Sequence, residues 1–293
     1  MPQTTNLPSG GGAKICFLET HDHIESFSYS TDLPITTEVW TTVATGVHPE
    51  EHGIVATGEQ QEWKNPVLQT LSKVTPYVLP KDLRVRLGTI LRGDEEDSAM
   101  VMRQTDVDTI FPHGSAFGWP GVTPARHLSE AWHLLEQANA NKISTDELLD
   151  KSMKNTGIEF GWLIAAADLG YPVVGVHSHI LDIAGHAFAR REKKLKEVYT
   201  QVDRLVGMIQ EHTDRLVILS DHGMQVEWLD DESPGDHSLR PFISSNFATD
   251  LPDDMYSVRP WVESQITANT EERDESVGID TTHQQLKDLG YLE

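Results

Sequence analysis

The stretch Leu216–Met224, LVILSDHGM, decides the fold expected of this chain. Apolar, β-prone residues up to Leu219 run directly into Ser220, Asp221 and His222, a pattern typical of a buried strand that ends in a turn. Strands of this kind belong to open α/β sheets, which carry their functional groups at the carboxyl ends of the strands. Aspartate and histidine at that position suit zinc or another divalent metal. The alternative interpretation is structural: an aspartate that caps the next element and a histidine in the core.

A second stretch, upstream, has the same organisation. Tyr171–Ile180, YPVVGVHSHI, predicts another strand, and it leads into Asp182 and His186. These two residues are four apart, so a helical turn would place both on one face, at a spacing suited to one metal ion. A single pair of this kind is a common accident, but two strand-end Asp/His sets about 40 residues apart are far less expected by chance.

The segment between the two predicted strands is the clearest helix in the chain. Within Arg190–His212, apolar residues recur at steps of three and four from Leu195 to Ile209. A strand, a helix and a strand in that order imply a right-handed crossover and a parallel sheet. We therefore expect an α/β fold with a mostly parallel central sheet and helices on both faces. Arg126–Ala138 and Gly157–Leu169 are further predicted helices.

The composition limits the classes of protein to consider. The chain has 293 residues, of which 38% are hydrophobic, so a sizeable core is expected. Acidic residues outnumber basic ones by 46 to 23, and the formal net charge of −23 disfavours nonspecific binding to nucleic acid or to an anionic membrane. A dispersed acidic surface with few lysines fits a protein kept soluble in high salt, so we expect a halophilic host.

The N-terminal region and the cysteine content indicate the compartment. Cys16 is the single cysteine of the sequence, which excludes an internal disulfide framework. No stretch approaches the roughly 20 apolar residues that a membrane helix needs. Residues 1–13 are rich in Ser, Thr, Pro and Gly and have no signal-peptide pattern, so we expect a flexible leader on a cytoplasmic protein.

The rest of the chain, 14–293, is expected to be a single α/β domain. The region at about 55–125 is harder to read: Asn65–Val74 and Val78–Leu91 are candidate helices, Met100–Arg103 is a candidate strand, and Pro112–Pro124 is a loop rich in glycine and proline. We expect an insertion there that covers the site and selects the substrate. His113, Trp119 and Arg126 are its candidate substrate contacts.

An upstream segment predicts a hydroxyl at the start of a helix. Helical spacing runs from Glu38 to Ala44, Gly46 is a plausible stop, and Thr36 would lie at the N-terminus, where backbone N–H groups and the helix dipole stabilise negative charge. The ordinary interpretation of this threonine is an N-cap, but a nucleophile can occupy the same place. Downstream, His237 heads another apolar run and would complete a three-ligand metal site if it came close to the second Asp/His set.

Four segments together resemble the type I phosphodiesterase/nucleotide pyrophosphatase branch of the alkaline phosphatase superfamily. TTEVWTTVATGVHPEEHGI, from Thr36, is similar to the nucleophile segment; DIAGH, from Asp182, to the D-x-x-G-H metal motif; SDHGM, from Ser220, to the second Asp-His motif; and GDHSLRPF, from Gly235, to the late histidine motif. They span about 200 residues in the order that the family has.

The resemblance implies an alkaline phosphatase-like fold that acts on a small phosphorylated substrate with two divalent metal ions, usually zinc, with manganese or magnesium as alternatives. The residues that would hold the ions form two sets: Asp182, His186 and His237, and Thr36, Asp221 and His222. Thr36 would be the catalytic nucleophile and would form a covalent phospho-threonine that water then hydrolyses. The oligomeric state stays open.

The chain departs from the family pattern at one place. In the family an early strand ends in a metal-binding aspartate, whereas the strand predicted at Lys14–Thr20 ends without one. Glu19 or Asp22 is the hypothetical substitute. The departure keeps open a pseudoenzyme that retains the fold as a binding module.

Two other members of the superfamily are alternatives. A sulfatase needs a C-x-P-x-R motif, which is absent after Cys16. A metal-dependent phosphomutase also has Asp/His sites, and it would move a phosphoryl group without releasing phosphate. Phosphate release separates a phosphomutase from a hydrolase, and metal content separates a pseudoenzyme, with one metal ion or none, from an enzyme with about two.

Overall fold

The computed structural model describes residues 18–55, 103–112 and 114–270, with side chains as far as 266. The leader predicted at 1–13, residues 56–102 of the predicted insertion and His113 lie outside the described residues. The α-helices of the described part are α1, Thr36–Thr45; α2, Pro49–His52; α3, Arg126–Asn139; α4, Thr145–Ala167; α5, Ile180–Phe188; α6, Glu192–Gln210; and α7, Val258–Thr270. The strands are β1, Thr20–His23; β2, Ala116–Phe117; β3, Gly175–Val176; β4, Val217–Leu219; β5, Gly223–Met224; β6, His237–Ser238; and β7, Phe242–Ser245.

The strands of this mixed α/β structure form three small sheets. One has the order β1-β7-β4 and is antiparallel throughout, the second is the parallel pair β2-β3, and the third is the antiparallel pair β5-β6. The described strands therefore do not form the mostly parallel central sheet that the sequence predicted.

The chain path after β4 explains the difference. The chain turns through the β5-β6 hairpin and comes back as β7, which therefore runs antiparallel to β4, with Leu219 opposite Ile243. The predicted parallel partner, β3, pairs with β2 instead, with Ala116 opposite Gly175. β3 is also much shorter than predicted, because Ile180 already begins a helix.

The predicted helices are confirmed, with shifted ends. α3 and α6 agree with the expected segments to within two residues. α4 begins about three turns earlier than predicted, because Ser144 caps it: its hydroxyl accepts a hydrogen bond of 3.1 Å from the Glu147 amide. Among the described helices, none combines the length and the apolar character that crossing a bilayer requires.

Two buried apolar clusters hold the layers together. In the first, Phe188 of α5 packs with Leu195 and Val202 of α6. In the second, Val39 and Val43 of α1 pack against the β7 sheet and the loop after β2. Burying side chains of this size contributes roughly 1.5–3 kcal/mol each, so the clusters fix α5 and α1 relative to the strand ends.

Two candidate substrate contacts of the predicted insertion are now placed. Trp119 is buried, its ring packs edge-on against Trp40, and its Nε1 donates a 2.9 Å hydrogen bond to the Trp40 carbonyl. This indole is thus a core side chain with its polar atom hydrogen-bonded, and its contact with a substrate stays a prediction. Arg126 is exposed at the start of α3.

A buried histidine locks the turn after α1. The Nδ1 atom of His52 accepts a 3.1 Å hydrogen bond from the Ile54 amide, so in the neutral ring Nε2 carries the proton and donates to the Thr42 hydroxyl at 3.0 Å. The residue is 3% exposed, and burial lowers its pKa to about 4. The folded protein therefore needs His52 to be neutral.

This gives a pH dependence of stability with a defined sign. The pKa of His52 drops from 6.5 to about 4 on folding, so between these values the unfolded chain binds the extra proton and stability is lost as the pH falls. In His52→Asn, the amide oxygen keeps an acceptor for Ile54 but does not titrate. Relative to this variant, the wild type should lose up to about 3 kcal/mol of unfolding free energy from neutral pH to pH 4, measured by urea unfolding. A difference that stays constant with pH would contradict the account.

Candidate metal centre

The first turns of α5 place one carboxylate and one imidazole on the same helix face. Asp182 lies in the first turn, and His186 follows one turn later, as the spacing predicted. Gly185, between them, lets α5 lie directly on β5: a Cβ there would be 2.6 Å from the Cε of Met224. The D-x-x-G-H spacing therefore serves both the pair of polar side chains and the close approach of the strand behind it.

The β5-β6 hairpin brings two more histidines to α5. His222 comes directly before β5, and His237 begins β6 opposite Met224. Gly223 permits the tight pairing, since a Cβ there would be 2.6 Å from the Ser238 hydroxyl and 2.8 Å from the Arg240 carbonyl. The rings of His222 and His237 stack with centroids 3.6 Å apart.

Five of the ligands predicted from the sequence converge on one point. The Nε2 atoms of His186, His237 and His222 lie 3.4, 3.2 and 3.5 Å from the carboxylate oxygens of Asp182. One ligand atom from each of Asp182, His186 and His237 lies within 4.8 Å of the others. Asp221 joins the group through its Oδ2, which is 3.6 Å from the Nε2 of His222.

The three imidazoles make the same kind of hydrogen bond. Each ring places its Nδ1 against a backbone carbonyl: His186 against Gly235 at 2.7 Å, His237 against Pro34 at 3.1 Å and His222 against Gly223 at 3.0 Å. Because a carbonyl oxygen only accepts, Nδ1 carries the proton, and in the neutral ring Nε2 keeps its lone pair. Backbone carbonyls that fix the tautomer in this way are typical outer partners of metal-binding histidines.

The charges in the site favour a bound cation. Burial alone would raise the pKa of Asp182, but the surrounding imidazoles, His179 foremost, hold that pKa well below its usual range. The hydrogen bond to this carboxylate raises the pKa of His186. For His237, burial lowers the pKa, and the hydrogen bond and charge of Asp182 outweigh that effect, so the net shift is upward. The carboxylate is thus ionised and attracts positive charge.

Two buried carboxylate oxygens point to the same conclusion. Among the described residues, the buried atoms Oδ1 of Asp182 and Oδ2 of Asp221 make no well-formed hydrogen bond, although Nε2 of His237 lies 3.2 Å from the first and Nε2 of His222 lies 3.6 Å from the second. An unsatisfied buried polar group costs about 1–3 kcal/mol, and more when it is charged. A divalent cation would satisfy both oxygens, and the mixed carboxylate and imidazole donors suit zinc. The residues present therefore fit a metal ion.

Thr36 stands at the head of α1 and is linked to this centre. It is the first helical residue and is 5% exposed, and the N-cap is Ile35, which makes no side-chain capping bond. The interpretation of Thr36 as an N-cap is therefore wrong. Pro34, two residues earlier, supplies the carbonyl that holds Nδ1 of His237, so the loop before α1 is tied to the histidine cluster.

The proposed substitutes for the early aspartate do not reach the centre. Asp22 in β1 lies opposite Ile243, and Leu219 in β4 lies opposite the same residue from the other side of β7. Two strand spacings, about 10 Å, therefore separate Asp22 from the end of β4. Both Asp22 and Glu19 are exposed. Neither carboxylate belongs to the group of ligand atoms formed by Asp182, His186 and His237, so the hypothesis that one of them substitutes for the missing ligand gains no support. Ser26, whose hydroxyl donates to the Asp221 carbonyl at 2.6 Å, is the nearer neighbour.

Two histidines of the site were missed from the sequence. His179 is 7% exposed, with Nε2 2.8 Å from Oδ2 of Asp182, and the buried His177 faces its ring at a centroid distance of 5.7 Å. Burial lowers the pKa of His177 well below its usual value. The spacing of three residues between His179 and Asp182 was the available signal, but it was hidden inside a segment predicted to be a strand.

The comparisons with known proteins agree with this geometry. A sequence model of the type I phosphodiesterase / nucleotide pyrophosphatase family matches residues 26–234, more than two thirds of the chain. The chain belongs to this family, which is part of the alkaline phosphatase superfamily, as the four motifs predicted. The family consists of phosphoester hydrolases that are typically metal-dependent and act on small phosphorylated substrates.

More distant comparisons add little. No curated protein matches this sequence. The solved structure of the PH0037 protein from Pyrococcus horikoshii is similar with a TM-score of 0.38 and 12% sequence identity, over 88% of this chain and 86% of that chain. A likeness at this level supports no argument about fold or function.

Zinc binding by this cluster is directly measurable. His186→Gln removes one imidazole lone pair from the cluster and should weaken zinc binding at least about tenfold, measured by competition with a chromophoric chelator. His212→Gln is the matched control, because the Nδ1 of His212 also faces a backbone carbonyl, that of Met208 at 2.8 Å, but at the exposed end of α6. Equal zinc affinity in the two variants would exclude His186 as a ligand.

Proposed function

We propose that this protein is a metal-dependent phosphoric ester hydrolase of the phosphodiesterase/nucleotide pyrophosphatase type that acts through a phospho-threonine at Thr36. The observation that carries the proposal is the convergence of three imidazole Nε2 atoms on the carboxylate of Asp182. Membership of the family supplies the class of reaction. A small phosphorylated molecule is the proposed substrate.

Two sets of residues would hold two divalent ions, with zinc preferred and manganese or magnesium as alternatives. The sets are Asp182, His186 and His237, and Asp221 and His222 with the hydroxyl of Thr36. Divalent ions in such a site withdraw charge from phosphoryl oxygens and make a neighbouring hydroxyl more acidic.

Thr36 would act as the nucleophile from the N-terminus of α1. Its Oγ1 attacks the phosphorus, the bond from phosphorus to the leaving oxygen breaks with its electron pair on that oxygen, and the hydroxyl proton passes through solvent to the departing oxygen, which leaves as the alcohol. The backbone N–H groups of Thr36 and Thr37 lie in the first turn of α1, where N–H groups have no acceptor within the helix, and Ile35 makes no side-chain cap, so these two groups would face the phosphoryl oxygens. In the second step water attacks the phospho-threonine and restores the hydroxyl.

The link between His237 and Pro34 would set the distance between nucleophile and cluster. Nδ1 of His237 donates to the Pro34 carbonyl, while its Nε2 faces Asp182. One ring therefore spans the metal ligands and the loop that precedes Thr36. This arrangement favours a reaction in which the threonine hydroxyl and the metal ligands act on the same phosphoryl group.

A pseudoenzyme is the second candidate, and one observation favours it. Glu19 and Asp22 are exposed and do not replace the early aspartate, which leaves the second set with fewer ligands than the family pattern has. A hydrolase should hold about two metal ions per chain, whereas a binding module would hold one or none. Metal analysis of the purified protein separates the two.

Thr36→Ala tests the assigned nucleophile. The variant should lose at least about three orders of magnitude in turnover of a nitrophenyl phosphodiester at high salt, because no other hydroxyl takes its place. Thr37→Ala, which removes the neighbouring and less buried hydroxyl, is the matched control and should retain activity. Circular dichroism should show both variants folded.

The outcome also distinguishes the alternatives. Unchanged turnover in Thr36→Ala removes this residue as the nucleophile. Loss of turnover in both threonine variants would indicate damage to α1 and not a missing nucleophile. Transfer of the phosphoryl group without release of phosphate or alcohol would identify a phosphomutase.

A further inference from the structure

A buried histidine stands behind the candidate metal ligand. His179 precedes α5, and its Nε2 lies 2.8 Å from Oδ2 of Asp182. The ligand atoms grouped within 4.8 Å of one another belong to Asp182, His186 and His237, so His179 approaches the carboxylate outside that group. Within the described part of the chain, Nε2 of His179 has no well-formed hydrogen bond. This imidazole is therefore placed to act on Asp182 from outside the ligand group.

A buried glutamate lies below the same helix. Glu159 of α4 is 3% exposed, and its Oε1 accepts from Nδ1 of His127 at 2.9 Å. This hydrogen bond raises the pKa of His127. The other oxygen, Oε2, is buried and makes no hydrogen bond to any described residue. Leaving a carboxylate oxygen unsatisfied costs about 1–3 kcal/mol or more, so a partner for it is expected.

One small cavity connects the two residues. It has a volume of about 10 Å³, and both Glu159 and His179 line it, together with Thr156. A polar cavity of about 10–15 Å³ is the size that holds a single water molecule, which needs two to four polar partners. The Thr156 hydroxyl is 3.0 Å from that of Ser178, so this wall is polar as well.

We propose that one buried water molecule joins Oε2 of Glu159 to the ring of His179, and that these two residues position the carboxylate of Asp182 for metal binding. The water donates one proton to Glu159 and the other to Nδ1 of His179, which leaves the Nε2 proton of His179 for Oδ2 of Asp182. His127, which donates to Oε1 of Glu159, is the outer end of this series of hydrogen bonds. Glu159 and His179 are positioning residues, and the proposal rests on Asp182 being the metal ligand of the proposed function.

Measurements of zinc affinity test this series of hydrogen bonds without depending on turnover. Glu159→Gln keeps the size of the side chain but removes its charge, and His179→Ala removes the contact with Asp182. Each should weaken zinc binding roughly 10- to 100-fold, as the loss of an outer-shell partner does. The double variant should bind zinc no more weakly than His179→Ala alone, because both changes interrupt the same series of hydrogen bonds. Glu147→Gln is the control, since this exposed carboxylate pairs with Lys151 at 3.1 Å and does not line the cavity.

Recovery of zinc affinity in a conservative variant of His179 would distinguish a positioning role from a general loss of packing. In His179→Gln the side-chain amide can still donate to Asp182, so zinc affinity should recover relative to His179→Ala, and adding Glu159→Gln should then have little effect. A crystal structure should show a water peak in the cavity. Zinc affinity of Glu159→Gln within twofold of the wild type, additive effects in the double variant, or an empty cavity would overturn the proposal.

Two failures remain distinguishable. If His186→Gln abolishes zinc binding while Glu159→Gln does not change it, the cluster is a metal centre, and the proposal that Glu159 and His179 position Asp182 is wrong. If the wild type binds no zinc at this cluster, both proposals are wrong.

Discussion

The ionised carboxylate of Asp182, buried among imidazole rings, is the constraint on which the rest of the site depends. A buried charge is tolerated only where opposite charge or hydrogen bonds compensate for lost hydration. Here three histidines aim Nε2 at the carboxylate, and backbone carbonyls hold each ring by its other nitrogen. The folded chain thus orients lone pairs and negative charge toward one point, which is the arrangement a divalent cation stabilises.

The elements around that point are arranged so that it can form. α5 approaches β5 closely because Gly185 has no side chain, and the hairpin closes because Gly223 has none. His237 then bridges to Pro34, which orients the loop before α1. The apolar clusters of α5 with α6 and of α1 with β7 stabilise these positions. The contacts that stabilise the fold are therefore also the contacts that position the candidate metal ligands.

The sequence predicted which polar side chains come together better than it predicted the sheet. Ligand types at strand and helix ends are local signals, so Asp182, His186, Asp221, His222 and His237 could be identified from spacing and from the resemblance. Strand pairing is not local: whether β4 lies beside β3 or β7 depends on a hairpin whose strands are two residues each, too short to show a period. Glu159 was missed because a tertiary contact brings it to His179 from 20 residues earlier in the sequence, and His179 was missed because its spacing to Asp182 lay inside a segment predicted to be a strand.

The most direct measurement is anomalous diffraction at the zinc edge from crystals of the wild-type protein grown with zinc. The account predicts a peak within bonding distance, about 2.0–2.2 Å, of Asp182, His186 and His237, with a second peak beside Asp221 and His222. A fully occupied zinc elsewhere on this acidic surface, with the histidine cluster still joined only by its own hydrogen bonds, would contradict it.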